Sequence, residues 1–200
     1  WTKACVLFQI GIQRIDDFKL DLIAQLFNPD AIIREVSAWA LFQINPKEYH
    51  KNVRRLGDYQ RRELDDLIIH SKKMTRFEKV LFFQKITVFE NIPGITLSYL
   101  ADISQEIRMQ EQQTLVLDER SNTSFYVLVA GTIDFYQRGQ LVSKFTQGQF
   151  IGEMVGLPNF VNTNVLIAQS DVVILKLNKD QFYELLSDNV RLADKIIEFI

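Results

Sequence analysis

Cysteine is almost missing from this chain: Cys5 is alone among 200 residues, so no internal disulfide can form and a reducing, cytoplasmic setting is expected. A lone thiol acts as a nucleophile only beside a base, and the plainer reading of Cys5 is a buried core residue. Histidine is equally scarce. His50 and His70 lack the Cys, His or carboxylate spacing of a metal site. Basic residues show no excess, with 23 Lys and Arg against 25 Asp and Glu, a net charge of -2. That balance argues against a nucleic-acid surface. No apolar run reaches the roughly 18 residues of a membrane span, so no membrane insertion is expected within these residues. No glycine-rich loop has nucleotide-triphosphate spacing, and Ser121, Ser124, Ser143 and Ser170 have no histidine close in sequence. Catalysis is therefore not expected.

What is present describes two modest globular domains, 47% hydrophobic and 24% charged. The first signal is a repeat. Lys3–Gly11 aligns with Ser37–Asn45 at an offset of 34 positions, sharing Ala, Leu, Phe, Gln and Ile. Between the copies, Phe18, Leu22, Ile23, Leu26 and Phe27 recur at helical spacing, and Asn28-Pro29-Asp30 breaks the pattern. Pro29 stops one helix and Asp30 can cap the next, which makes a helical hairpin. Pro29, Asp30, Ile33, Arg34, Ala38, Ala40 and Leu41 resemble a HEAT repeat. The resemblance implies that small residues such as Ala38 and Ala40 let helices approach, and that the array continues in a longer solenoid. The chain also opens at Trp1 without a methionine, and the expectation is a portion of a longer protein.

Residues 51–79 read as a charged helical stretch with nine basic against five acidic side chains. Attraction to an anionic membrane or an acidic partner is one reading; a solvated face joining two domains is the other, favoured because acids interrupt the bases throughout. From Gln113 the period shortens to strands at 114–118, 125–130, 132–137, 141–145, 165–168 and 172–177, with Gly131, Gly139 and Gly148 at turns. Helix returns at 179–186 and 189–200.

That order, with particular residues, resembles the cyclic-nucleotide-binding domain of the catabolite activator protein and protein kinase A regulatory subunit type. Phe77–Phe83, Val88-Phe89 and Ile92-Pro93 look like its leading helix and turn. Leu97, Leu100, Ala101 and Ile107 match the next helix and first strand, Tyr126–Gly131 a tyrosine-bearing strand, and Gln147–Met154 the start of the phosphate-binding cassette. The implied fold is α+β, with N-terminal HEAT-like α-helical hairpins over 1–74. An antiparallel, jelly-roll-like β-roll with flanking helices follows over 75–200.

A cyclic phosphate is an anion, so its pocket needs backbone N–H donors and a nearby positive charge. Gly152 suits close backbone approach, and a carboxylate at Glu153 can accept from a ribose 2′-hydroxyl. The resemblance places an arginine at position 162, where this chain has Asn162, and 158–165 holds no Arg or Lys. An amide cannot replace a guanidinium fork. Gln112 and Glu119 stand where the family usually has glycine, implying rebuilt turns, and Val155-Gly156 also departs from its pattern.

The candidate ligand site is Gly152, Glu153, Met154, Asn162, Thr163 and Asn164. The expected function is a non-enzymatic regulatory or interaction module, needing no cofactor and binding cyclic AMP weakly or not at all. The alternative is a working sensor of cyclic AMP, cyclic GMP or a small anion, regulating an attached protein. A protein partner, or the rest of a longer chain, is expected at the HEAT-like helices. The architecture also resembles the soluble tail of bacterial transporter-like membrane proteins.

Overall fold

The computed structural model describes residues 1–70, 73–117, 124–152 and 164–199, the last five as backbone only. The chain forms two compact units, Trp1–Leu81 and Phe82–Ile200, dividing inside one helix.

The first unit is helical. α1 (Thr2–Ile12) is followed by a 3-10 turn (Asp16–Phe18), α2 (Lys19–Gln25), α3 (Ala31–Ile44), α4 (Pro46–Val53) and α5 (Asp58–Asp65), which runs on as a π-helical turn (Asp66–His70). The punctuation is local. The Asp30 carboxylate accepts from the N–H groups of Ile32 and Ile33 and so caps α3, while Asn45 accepts from the N–H of Glu48 and Pro46 opens α4. The core joins Leu22, Leu26, Val36, Leu41 and Tyr49, all buried. Where the two repeat copies meet, Gly11 lies so near α3 that an added Cβ would stand 2.8 Å from the Ala40 Cα. Repeat positions behave alike: Ala4 and Ala38 are buried, as are Leu7 and Leu41.

The charged stretch from 51 to 79 is not one helix. It breaks after Val53 and again before α6 (Arg76–Phe83). Nor is it only a solvated face, because Val53, Leu56 and Leu64 enter the core. α6 starts with a capping box: the Thr75 hydroxyl accepts from the Glu78 N–H, and the Glu78 carboxylate accepts from the Thr75 N–H. The buried Glu35 carboxylate also receives the Arg76 N–H and its guanidinium.

In the second unit a 3-10 turn (Thr87–Phe89) and α7 (Gly94–Ile103) lead directly into the strands. These are β1 (Ser104–Met109), β2 (Thr114–Leu117), β3 (Ser124–Ala130), β4 (Ile133–Gln137), β5 (Gln140–Phe145), β6 (Phe150–Ile151), β7 (Asn164–Ala168) and β8 (Val172–Asn178). α8 (Lys179–Asp188) and α9 (Val190–Phe199) follow. Two antiparallel four-stranded sheets, ordered β1-β8-β3-β6 and β2-β7-β4-β5, share a core of inward residues such as Leu128, Ile133, Leu166 and Ile174. The outer face of the first sheet is aromatic, with Phe125 packed edge-on against Phe182 of α8 at 4.8 Å and Phe150 against Phe89 at 5.9 Å. The α+β class read from the sequence is the observed one. Two strands escaped the periodicity: β6 has two residues, and β1 is polar and follows α7 without a turn residue.

Candidate functional site

The roll has two unlike ends. At one, tight turns join β1 to β2, β3 to β4 and β7 to β8. At the other lie the starts of β1, β3 and β7, the ends of β2, β4, β6 and β8, and the two-residue turn from β4 to β5. Opposed residues of paired strands share a face, so the register sorts inward from outward positions. Inward residues at the turn end are Met109, Leu128, Ile133, Ala168 and Val172, all apolar. At the other end the same faces mix polar residues with the buried Leu117, Tyr126 and Ile151. Gln105 and Tyr126 both sit opposite Lys176, Ser124 opposite Asn178, and Gln137 opposite Asn164.

Part of this polar end encloses space. Gln105, Ser124, Lys176 and Asn178 line a cavity of about 430 Å³, together with Asp180 and Gln181 from the first turn of α8. Lys176 is half-buried and makes no ion pair among the described residues. It was missed in the sequence, although Val172, Ile174, Lys176 and Asn178 alternate as one face of a strand that turns polar toward its end.

Of the six candidate residues, the structure describes two. Glu153, Met154, Asn162 and Thr163 lie outside the described residues, as does Glu119. Gly152 follows β6 at φ +131°, and a Cβ added there would stand 3.1 Å from the Phe125 Cβ and 3.2 Å from its Cα. Close packing on β3 is thus sufficient reason for a glycine, whatever else its backbone does. Asn164 opens β7 facing inward. It is 1% exposed, and among the described residues neither its Nδ2 nor its Oδ1 has a hydrogen-bonding partner.

At the Gln112 turn the residue itself takes the left-handed conformation, at φ +66°. Its N–H donates to the Ala168 carbonyl at 2.8 Å, and the Gln113 carbonyl accepts from the Ala168 N–H at 3.0 Å. Those bonds hold a conformation costing about 1–2 kcal/mol for a residue with a Cβ.

The two four-stranded antiparallel sheets and the first helix after them span most of the stretch that matches a known family. Residues 106–189 match the family model described as Cyclic nucleotide-binding domain. The cAMP-dependent protein kinase regulatory subunit of Aspergillus niger is 23% identical over 107 residues, covering 52% of this chain and 26% of that protein. The cGMP-dependent protein kinase egl-4 of Caenorhabditis elegans is 26% identical over 149 residues, covering 68% of this chain and 19% of that protein. The chain thus spans about a quarter or less of the length of these curated relatives. Among solved structures, the sensor domain of the transcriptional regulator DNR from Pseudomonas aeruginosa aligns at a TM-score of 0.50 with 15% identity. It covers 59% of this chain and 83% of that one, a likeness of fold alone. The family match begins at residue 106, beyond the helical unit. Among the described residues no helix is long and apolar enough to cross a membrane, and no cluster of His, Cys, Asp and Glu could hold a metal ion.

Proposed function

We propose that the second unit is a non-enzymatic regulatory module in which cyclic-nucleotide binding is weak or absent. The observation that carries this reading is the charge of the segment between β6 and β7: residues 153–163 contain one carboxylate, Glu153, and no Arg or Lys. The positive φ of Gly152, +131°, is compatible with the tight backbone turn expected at a cassette start, while the sequence beyond it offers no counter-charge for a phosphate. A buried anion without that partner loses about 2–5 kcal/mol, roughly 30- to several-thousand-fold in affinity. Thermal-shift titration with cyclic AMP and cyclic GMP tests this. No stabilisation is expected at micromolar nucleotide, and a rise in Tm there contradicts the reading.

Lys176 favours a second reading, a sensor of cyclic nucleotide or another small anion. Its ammonium stands in the same roll end and lines the 430 Å³ cavity, on the strand two away from β6. Under this reading phosphate or cyclic AMP stabilises the protein, and Lys176→Met removes the effect.

For the first unit, the repeated positions buried in α1 and α3 support a HEAT-like arrangement, with a protein partner or further helices of a longer chain as its neighbour. Pull-down of such a partner by the full chain, lost on substituting exposed Leu20, would support that role; Leu20 is 75% exposed.

A further inference from the structure

A second cavity, of about 420 Å³, lies between the 3-10 turn at Thr87–Phe89 and the turn from β5 to β6. All of it belongs to the second unit. Both walls are held by the chain's own bonds. In the β5–β6 turn the Thr146 N–H donates to the Gln149 Oε1 at 2.7 Å, and the Gly148 N–H donates to the Leu128 carbonyl at 2.8 Å. Across from it, the Lys85 and Ile86 N–H groups donate to the Phe82 and Phe83 carbonyls, and the Phe89 ring packs against Phe150 at 5.9 Å. A ligand entering a space already formed in this way orders little of the protein, so its contacts are not offset by that cost.

The lining sorts by chemistry. Ile86, Val88 and Phe150 are buried and, with the half-buried ring of Phe145, give an apolar floor. Lys85 and Gln147 are exposed at the rim, and among the described residues Lys85 is the only charged one that lines the cavity. Gln149 lends a fixed donor: its Oε1 is taken by Thr146, which leaves Nε2 as the end that can donate.

We propose that this cavity binds a small aromatic monocarboxylate. Its ring lies on the apolar floor beside Phe145, and its carboxylate accepts from the Lys85 ammonium and the Gln149 amide. A purely apolar molecule would leave those donors unused, a cation would meet Lys85, and a polyanion would carry more charge than one lysine balances. The lining takes nothing from residues 153–163, so the inference is independent of whether a cyclic nucleotide binds.

Amide-resolved NMR of the full 200-residue chain, titrated to a few millimolar with phenylacetate or with the uncharged phenylacetamide, tests it. Phenylacetate shifts the amides of Val88, Gly148 and Gln149 saturably and binds about 3-fold or more tighter than phenylacetamide. Lys85→Gln abolishes that preference. Gln147→Trp fills the cavity and abolishes the shifts caused by both probes. Both substitutions are at exposed positions, and the rest of the spectrum stays that of the wild type. Absence of shifts with phenylacetate, equal binding of acid and amide, a preference that survives Lys85→Gln, or shifts that persist in Gln147→Trp would each overturn the proposal.

Discussion

The two ends of the roll are built from the same eight strands and differ in what those strands point inward. Toward the β1–β2, β3–β4 and β7–β8 turns the interior includes Met109, Leu128, Ile133, Ala168 and Val172; toward the start of β7, Ser124, Lys176, Gln137 and Asn164 join the buried Leu117, Tyr126 and Ile151. An apolar interior is what a roll needs to fold, because apolar burial drives collapse and unpaired polar groups oppose it. Polar side chains at one end only are therefore unnecessary for the architecture.

The sharpest way to break the comparison is to carry the polarity across. Ile174 is fully buried, and Ile174→Asn should cost about 3–5 kcal/mol in urea denaturation, from lost packing plus a buried amide. A loss below about 1 kcal/mol would show the ends to be equivalent. Gly152→Ala comes next. It forces a Cβ against Phe125 at φ +131° and should lower stability by about 1–3 kcal/mol, with the roll's secondary structure retained by circular dichroism.

Tyr49 in the helical unit is a buried polar group that is satisfied. Its ring is fully buried and its hydroxyl donates to Asp65 Oδ1 at 2.9 Å. Tyr49→Phe should cost about 1 kcal/mol. Burial, then the hydrogen bond to Asp65 and its charge, push the Tyr49 hydroxyl well above its ordinary value. The folded state thus keeps a proton that the unfolded chain sheds near pH 10. That contribution is complete below about pH 10, and unfolding should become easier as pH rises above it. In Tyr49→Phe this alkaline loss should shrink. The smallest effect is expected at Gln112→Gly, which relieves a left-handed Cβ and adds backbone entropy to the unfolded chain, for a net gain of about 0.5–1 kcal/mol.

Much of the fold was legible because its signals are local. Asp30, Pro29 and Asn45 act through neighbouring backbone groups, and six strands announce themselves by β-branched and aromatic runs between turn residues. β1 did not, since Ser104–Met109 is polar and its pairing with β8 is a long-range fact. The candidate site was less legible for the same reason. That Asn164 faces inward depends on its register with Leu117 and Gln137, and a slip of one residue would place it in solvent. Lys176 belongs to the site only because β8 runs between β1 and β3. The left-handed Gln112 turn likewise depends on distant partners, the Ala168 carbonyl and N–H, which bond Gln112 and Gln113.

The proposed weakness of cyclic-nucleotide binding rests on a 153–163 segment that has no Arg or Lys. Calorimetric titration of cyclic AMP into the wild-type chain and into Asn162→Arg measures it directly. The account predicts no measurable heat of binding for the wild type at micromolar nucleotide and a gain of roughly 30-fold or more in affinity for the variant. Micromolar binding by the wild type, unchanged in the variant, would contradict it.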